Sequence, residues 1–185
     1  TYTGATTITA GTLRIGNGGN TGSLSTSSAI SNTATLAFNR NDTVTQGTHF
    51  ASAIGAGAGA VVQAGTGTLV LNGANLYTGA TTAAAGTLRL DLATGSLSSS
   101  SPLSMTGGRF EIRGNGSGTS TQTLGAMTMA ARTNSVIAVD PNNGTSTTLT
   151  LGDAWTRNVG SSLLIDYSSG NTGTREVVTA GATTG

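Results

Sequence analysis

The sequence predicts an all-β protein, a β-solenoid of roughly eight coils. Three observations point there. Apolar residues alternate with period two in short bursts separated by Gly-, Asn- and Ser-rich turns. Gly and Thr, both poor helix formers, supply 29 and 36 of the 185 residues. A fourteen-residue segment occurs twice, which marks a repeat architecture. A β-sandwich is the alternative; it also has many short strands, but it does not require a near-identical segment to recur.

The strands follow in order along the chain. Leu13 and Ile15 flank Arg14 and end at the turn Gly16-Asn17-Gly18-Gly19. A burst at 34–38 comes next. Leu69 and Leu71 flank Val70, with Asn72-Gly73 closing that strand. Leu88, Leu90 and Leu92 alternate with Arg89 and Asp91. Phe110 and Ile112 alternate with Glu111 and Arg113 before Gly114-Asn115-Gly116. From Gly125 to Arg132, the residues Ala126, Met127, Met129, Ala130 and Ala131 fit a helical turn as well as a strand. Thr128 tips that segment towards strand. The turn Asn142-Asn143-Gly144 follows, and Val177 and Thr179 straddle Val178 near the end. Bursts spaced by ~8–12 residues suit many short strands.

Composition excludes several classes of function. Charged residues make up 8% of the chain, all eight basic residues are Arg, and the net charge is +1. Scattered Arg at this balance gives no basic patch for nucleic acid or an anionic membrane. No stretch approaches the ~20 apolar residues of a membrane-spanning helix. The absence of Cys removes disulfides, thiolate metal sites and a Cys nucleophile. A hydrophobic share of 36% with only two Pro, Pro102 and Pro141, separates the chain from a flexible linker.

The repeat organises the chain. Residues 2–15 read YTGATTITAGTLRI and residues 77–90 read YTGATTAAAGTLRL, with eleven of fourteen positions identical at an offset of 75. The run 21–25 (TGSLS) recurs at 94–98, offset by 73. A unit this long suits about three coils. Gly11 and Gly86 stand just before a strand, where a positive φ or a tight corner is expected. Leu13 and Ile15, like Leu88 and Leu90, then face one side, and stacked coils bury a continuous apolar column.

The run 65–82, GTGTLVLNGANLYTGATT, continues into Ala85-Gly86-Thr87-Leu88-Arg89-Leu90. It resembles the autotransporter-associated β-strand repeat, also called the passenger-associated transport repeat, whose motif reads roughly GTGTLTLxGxNxYTGxTxxxxGTL. The first copy matches only from Tyr2 onward. The repeat positions are Tyr2, Gly4, Gly11 and Leu13 in the first copy. In the second they are Gly65, Gly67, Leu69, Leu71, Gly73, Asn75, Tyr77, Gly79, Gly86 and Leu88. The resemblance implies a right-handed parallel β-helix, secretion by a bacterium and a place in a passenger or stalk. It implies no catalytic activity. The repeat units run over about 1–64, truncated at its start, and 65–113. Residues 114–185 form divergent coils of the same continuous solenoid segment.

Few residues in the sequence point to chemistry. His49 stands alone and reads as a surface or corner residue; no nucleophile elbow GxSxG occurs. The acids Asp42, Asp91, Glu111, Asp140, Asp153, Asp166 and Glu176 read as solvated turn carboxylates. None forms the paired arrangement that glycoside hydrolysis needs. Arg14 and Arg89 occupy equivalent repeat positions, where exposed charge discourages edge pairing or, as the alternative, binds a surface glycan. Thr-x-Thr pairs at Thr7/Thr9, Thr43/Thr45, Thr66/Thr68, Thr121/Thr123 and Thr148/Thr150 fall at irregular intervals, which argues against one aligned lattice of the kind that binds ice. Tyr2 and Tyr77, being equivalent, read as corner or core residues. Three Asn-x-Ser/Thr acceptor patterns, at Asn41, Asn115 and Asn143, read as turns.

The sequence therefore predicts a structural segment of a large secreted or surface-anchored bacterial protein: a rigid stalk, passenger or filament. An adhesin or glycan-binding module is the alternative, and a polysaccharide-active enzyme ranks below both. No catalytic, cofactor or metal site is expected. The expected partners are further coils of the same chain, or head-to-tail or lateral copies. Location at the cell surface or outside the cell follows.

Overall fold

The computed structural model describes residues 2–169 and 175–180. Turn one carries β1 (Thr6–Ile8) and β2 (Thr12–Ile15). Turn two carries β3 (Ile30–Asn32), β4 (Thr35–Phe38) and β5 (Thr43–Thr45). Turn three has β6 (Ala60–Gln63) and β7 (Thr68–Leu71); turn four has β8 (Thr81–Ala83) and β9 (Thr87–Asp91). Turn five contributes β10 (Leu103–Met105), β11 (Arg109–Arg113) and β12 (Thr119–Thr123). Turn six contributes β13 (Met127–Met129), β14 (Asn134–Asp140) and β15 (Ser146–Leu151). Turn seven contributes β16 (Thr156–Arg157), β17 (Ser162–Asp166) and β18 (Arg175–Ala180). The segment around Met127 is thus a strand, and the described residues include no helix.

All pairings between these strands are parallel, each between successive turns. A sandwich is built from antiparallel sheets, so the chain is a parallel β-solenoid. Wall 1 stacks β2-β4-β6-β8-β10-β13-β16 and wall 2 stacks β5-β7-β9-β11-β14-β17. The third side begins with β1-β3 and ends with β12-β15-β18. Between them it is held by the bridges Ile30–Ile54, Gly57–Tyr77 and Ala74–Ser96.

The described residues make about seven turns, against the roughly eight expected. The amount of chain in a turn varies, and from turn three onward it grows: Val61 pairs with Thr81, but Thr128 pairs only with the more distant Thr156. The later turns spend the added residues on longer strands along wall 2 and the third side. At ~4.8 Å per strand, wall 1 is about 30 Å long.

The core is a set of columns along the axis. On wall 1, Leu13, Leu36, Val61, Thr81, Leu103 and Met127 stack in register. On wall 2, Val44, Leu69, Leu88, Phe110, Ile137 and Ile165 do the same, beside Leu71, Leu90, Ile112 and Val139. Leu36, Val61, Leu69, Leu71, Leu88, Leu90 and Phe110 are fully buried, each worth roughly 1.5–3 kcal/mol of transfer free energy. Parallel strands cannot turn back on themselves, so every corner must bend sharply. Gly11 and Gly86 do so with φ of 69° and 50°, conformations that cost a residue with Cβ about 1–2 kcal/mol. Gly65 and Gly67 serve another need: a Cβ there would run into the backbone of Arg40 and Asp42 one turn earlier.

The repeat does not span a whole number of turns. Leu13, Leu36, Val61 and Thr81 share one column, so the residue three turns beyond Leu13 is Thr81. The sequence partner of Leu13 is Leu88, which comes later in the chain and lies on wall 2. The second copy is therefore rotated by one wall relative to the first. Each copy keeps its local pairing nonetheless: β1 pairs with β3 and β2 with β4, as β8 pairs with β10 and β9 with β11.

Candidate functional site

Two groups of side chains stand out: polar clamps inside the solenoid and a charged face on wall 2.

The clamps satisfy corner backbone groups that no strand reaches. Asn75 and Gln46, each about 1% exposed, face each other one turn apart. Gln46 Nε2 donates to Asn75 Oδ1 at 2.7 Å, and Asn75 Nδ2 donates back to Gln46 Oε1 at 3.1 Å. Together they also bond the Ile54 N–H, the Gly73 N–H and the Gly73 carbonyl. Gln63 Nε2 donates to the carbonyls of Gly65 and Gly67, both at 2.9 Å. On the third side Gln122 exchanges hydrogen bonds with both backbone groups of Leu97. In a water-excluded interior such pairs matter because an unmade bond carries the full desolvation cost.

A hydroxyl chain repeats in both copies. Ser101 Oγ donates to the Gly79 carbonyl at 2.7 Å and meets Thr81 Oγ1 at 2.9 Å. Ser28, Gly4 and Thr6 reproduce it at 2.5 and 2.8 Å. The tyrosines differ. Tyr77 is fully buried, with its hydroxyl 2.7 Å from Thr81 Oγ1, and burial pushes its phenol above the ordinary tyrosine range. Tyr2 is 63% exposed and bonds the Ala5 carbonyl. The expected equivalence fails because Tyr77 lies between turns three and four, bridged to Gly57, whereas Tyr2 borders an open hollow of about 650 Å³ with Thr6, Ile8, Leu13 and Leu24.

On wall 2 the outward residues of neighbouring strands alternate in sign. Arg89 Nε donates to Glu111 Oε1 at 2.7 Å, and Arg109 lies 3.7 Å from the same carboxylate and 2.8 Å from Asp166. Arg113 reaches Asp91 at 3.3 Å and Asp140 at 3.4 Å, and bonds Asn142. Asp166 is held at about 2 by hydrogen bonds from Ser168 and then by Arg109. These acids are strand residues in an ion-pair lattice, not the solvated turn carboxylates expected from the sequence; register sets Asp91 and Asp140 beside Arg113 and Glu111 beside Arg89, while Arg109 reaches Asp166 from two turns away. Asp42 is paired as well. The buried Arg40 grips both its oxygens, at 2.8 and 2.6 Å, and the Gly22 carbonyl, so the Asp42 carboxyl is lowered.

Arg14 and Arg89 do not form one ladder. Arg14 lies on wall 1 and bonds Asn17 at 2.9 Å, while Arg89 lies on wall 2. Two of the Thr-x-Thr pairs do align. Thr121 and Thr123 stand in register with Thr148 and Thr150, because the interval between these two pairs equals one turn there. His49 sits in a tight corner, where its Nδ1 accepts the Thr45 N–H at 3.0 Å. Glu176 lies outside the residues whose side chains are described. Sequence reasoning missed Gln46, Gln63, Gln122 and Arg40. Their signal was a polar residue at an inward position, which registers only once the inward face is known.

The passenger-associated-transport-repeat family matches the chain at residues 1–15 and 61–90. No curated protein and no solved structure matched it. The second match runs from β6 to β9 through the Gln63 corner, the Asn75 clamp and the Tyr77–Thr81 pair, and the first covers β1 and β2. Residues 1–15 and 61–90 thus match the passenger-associated transport repeat and are built into a parallel β-solenoid.

Proposed function

We propose that the chain is a rigid structural segment, a stalk or filament section, of a secreted or cell-surface protein. The observation that carries this reading is the continuity of the inner columns and hydrogen-bonded walls from turn to turn, with buried Asn75, Gln46, Gln63 and Gln122 clamping the corners. Such a stack resists bending, because any bend must break ladder hydrogen bonds on one wall or compress close-packed side chains on another. The match to a passenger-associated repeat supports a location outside the cytoplasm. Half-buried Leu13 and Leu24 at the first turn, and Leu163 and Ile165 at the last, offer apolar ends on which further coils or copies stack. The wall-2 arginines are already matched by carboxylates, which favours this reading over an anionic-glycan binder.

The test is protease shaving of intact cells, followed by peptide mapping of the released material and of the lysed remainder. Release of peptides from this chain by intact cells supports the reading. Their confinement to the cytosolic fraction after lysis overturns it.

A further inference from the structure

Four Asn-Gly pairs occur: Asn17-Gly18, Asn72-Gly73, Asn115-Gly116 and Asn143-Gly144. This dipeptide is chemically labile because a glycine amide nitrogen, unhindered by a Cβ, can attack the preceding side-chain amide. The attack needs a free N–H. Gly18 donates to the Asn39 carbonyl at 2.7 Å, Gly144 to the Pro141 carbonyl at 2.8 Å, and Gly73 to Gln46 Oε1 at 2.9 Å. Among the described residues, the Gly116 N–H has no hydrogen-bond acceptor. Asn115 is exposed, in the loop that joins wall 2 to the third side. Its Oδ1 accepts the Ser117 N–H at 3.0 Å, which folds the carboxamide back over the Gly116 peptide.

We propose that Asn115 is the chain's site of spontaneous deamidation. The Gly116 nitrogen gives up its proton to water or hydroxide and bonds to Asn115 Cγ. The Cγ–Nδ2 bond breaks, and the leaving nitrogen takes a proton and departs as ammonia. The resulting five-membered imide then adds one water. Its opening gives aspartate or isoaspartate according to which imide C–N bond the water breaks: cleavage at Cγ gives aspartate, and cleavage at the main-chain carbonyl carbon gives isoaspartate. No atom changes oxidation state. The product carries a new carboxylate at the corner where Gly116 lies against Asn142, the residue bonded by Arg113. That charge cancels the chain's net +1.

The experiment incubates the folded chain in mildly alkaline water enriched in ¹⁸O and maps label by peptide. The expected result is label at residue 115, with residues 17, 72 and 143 slower by about fivefold or more, the equilibrium cost of opening one net hydrogen bond. The chain unfolded in denaturant should label all four sites at comparable rates. The Asn115→Gln variant should lose the signal at that peptide alone. Native-state labelling at residue 17, 72 or 143 as fast as at residue 115 overturns the proposal. So does a folded chain whose residue 115 stays unlabelled while the unfolded chain reacts.

Discussion

Asn75 shows how much one buried amide can hold. Its two polar atoms serve Gln46, the Ile54 N–H and the Gly73 carbonyl in a corner that water does not reach. Asn75→Ala leaves those groups unpaired, and about 3 kcal/mol of stability should be lost. Urea unfolding measures it, and a loss under about 0.5 kcal/mol would show the clamp to be incidental. The tyrosines make a sharper comparison because the sequence treats them alike. Tyr77→Phe removes a buried hydroxyl bonded to Thr81 and should cost about 1 kcal/mol. Tyr2→Phe, at an exposed site, should stay within about 0.5 kcal/mol of the parent. Equal costs in thermal unfolding would mean that both sit in the same environment.

At the level of elements, wall 2 is where ionic strength and pH act. Surface ion pairs contribute about 0–1 kcal/mol each, so the lattice on β9, β11, β14 and β17 tunes the wall more than it holds it. Asp166 gives the pH dependence a sign. Its folded value of about 2 lies below the ordinary 3.8, so the folded state binds the proton more weakly than the unfolded chain does. Its stabilisation is complete above the ordinary value and is lost as pH falls from there through about 2. The stability difference between the parent and Asp166→Asn should therefore be constant from neutral pH down to about 5 and shrink towards zero near 2. Denaturant titrations across that range check it, and a difference that grew on acidification would contradict the assignment. On the third side, β12 and β15 carry the hydroxyl ranks of Thr121 with Thr148 and Thr123 with Thr150, whose alignment depends on the local length of the turn.

For the whole molecule, each turn contacts chiefly its neighbours, so the solenoid is close to one-dimensional. Removing one complete turn in register should preserve the rest. Deleting residues 81–102 joins Ala80 to Leu103, which already pairs with the position it would occupy, that of Thr81. Val61 then faces Leu103, and on wall 2 Leu69 and Leu71 face Phe110 and Ile112 in place of Leu88 and Leu90. The shortened chain should keep its β circular-dichroism spectrum and lose about 5 Å of length by small-angle scattering. An unfolded product would show that the turns are not interchangeable.

The strand bursts, the turn residues and the repeat were legible in the sequence because period two and Gly-Asn corners are local properties. Leu69, Leu71 and Leu88 are inward for that reason, and Gly11 and Gly86 have the positive φ their positions suggested. The amino-acid order by itself thus determined the class of fold, and the repeat motif pointed to the passenger-associated family matched at two segments. Only the tertiary structure decided how much chain makes a turn. That length sets which wall each copy occupies and which acids meet which arginines; the cover of a neighbouring turn is what buries Tyr77 and not Tyr2. The physical reason is that strands pair across a whole turn, and the chain between partners differs from one turn to the next, as Val61–Thr81 and Thr128–Thr156 show. Stacked side chains and corner clamps fix that register; no neighbouring residue in the chain does.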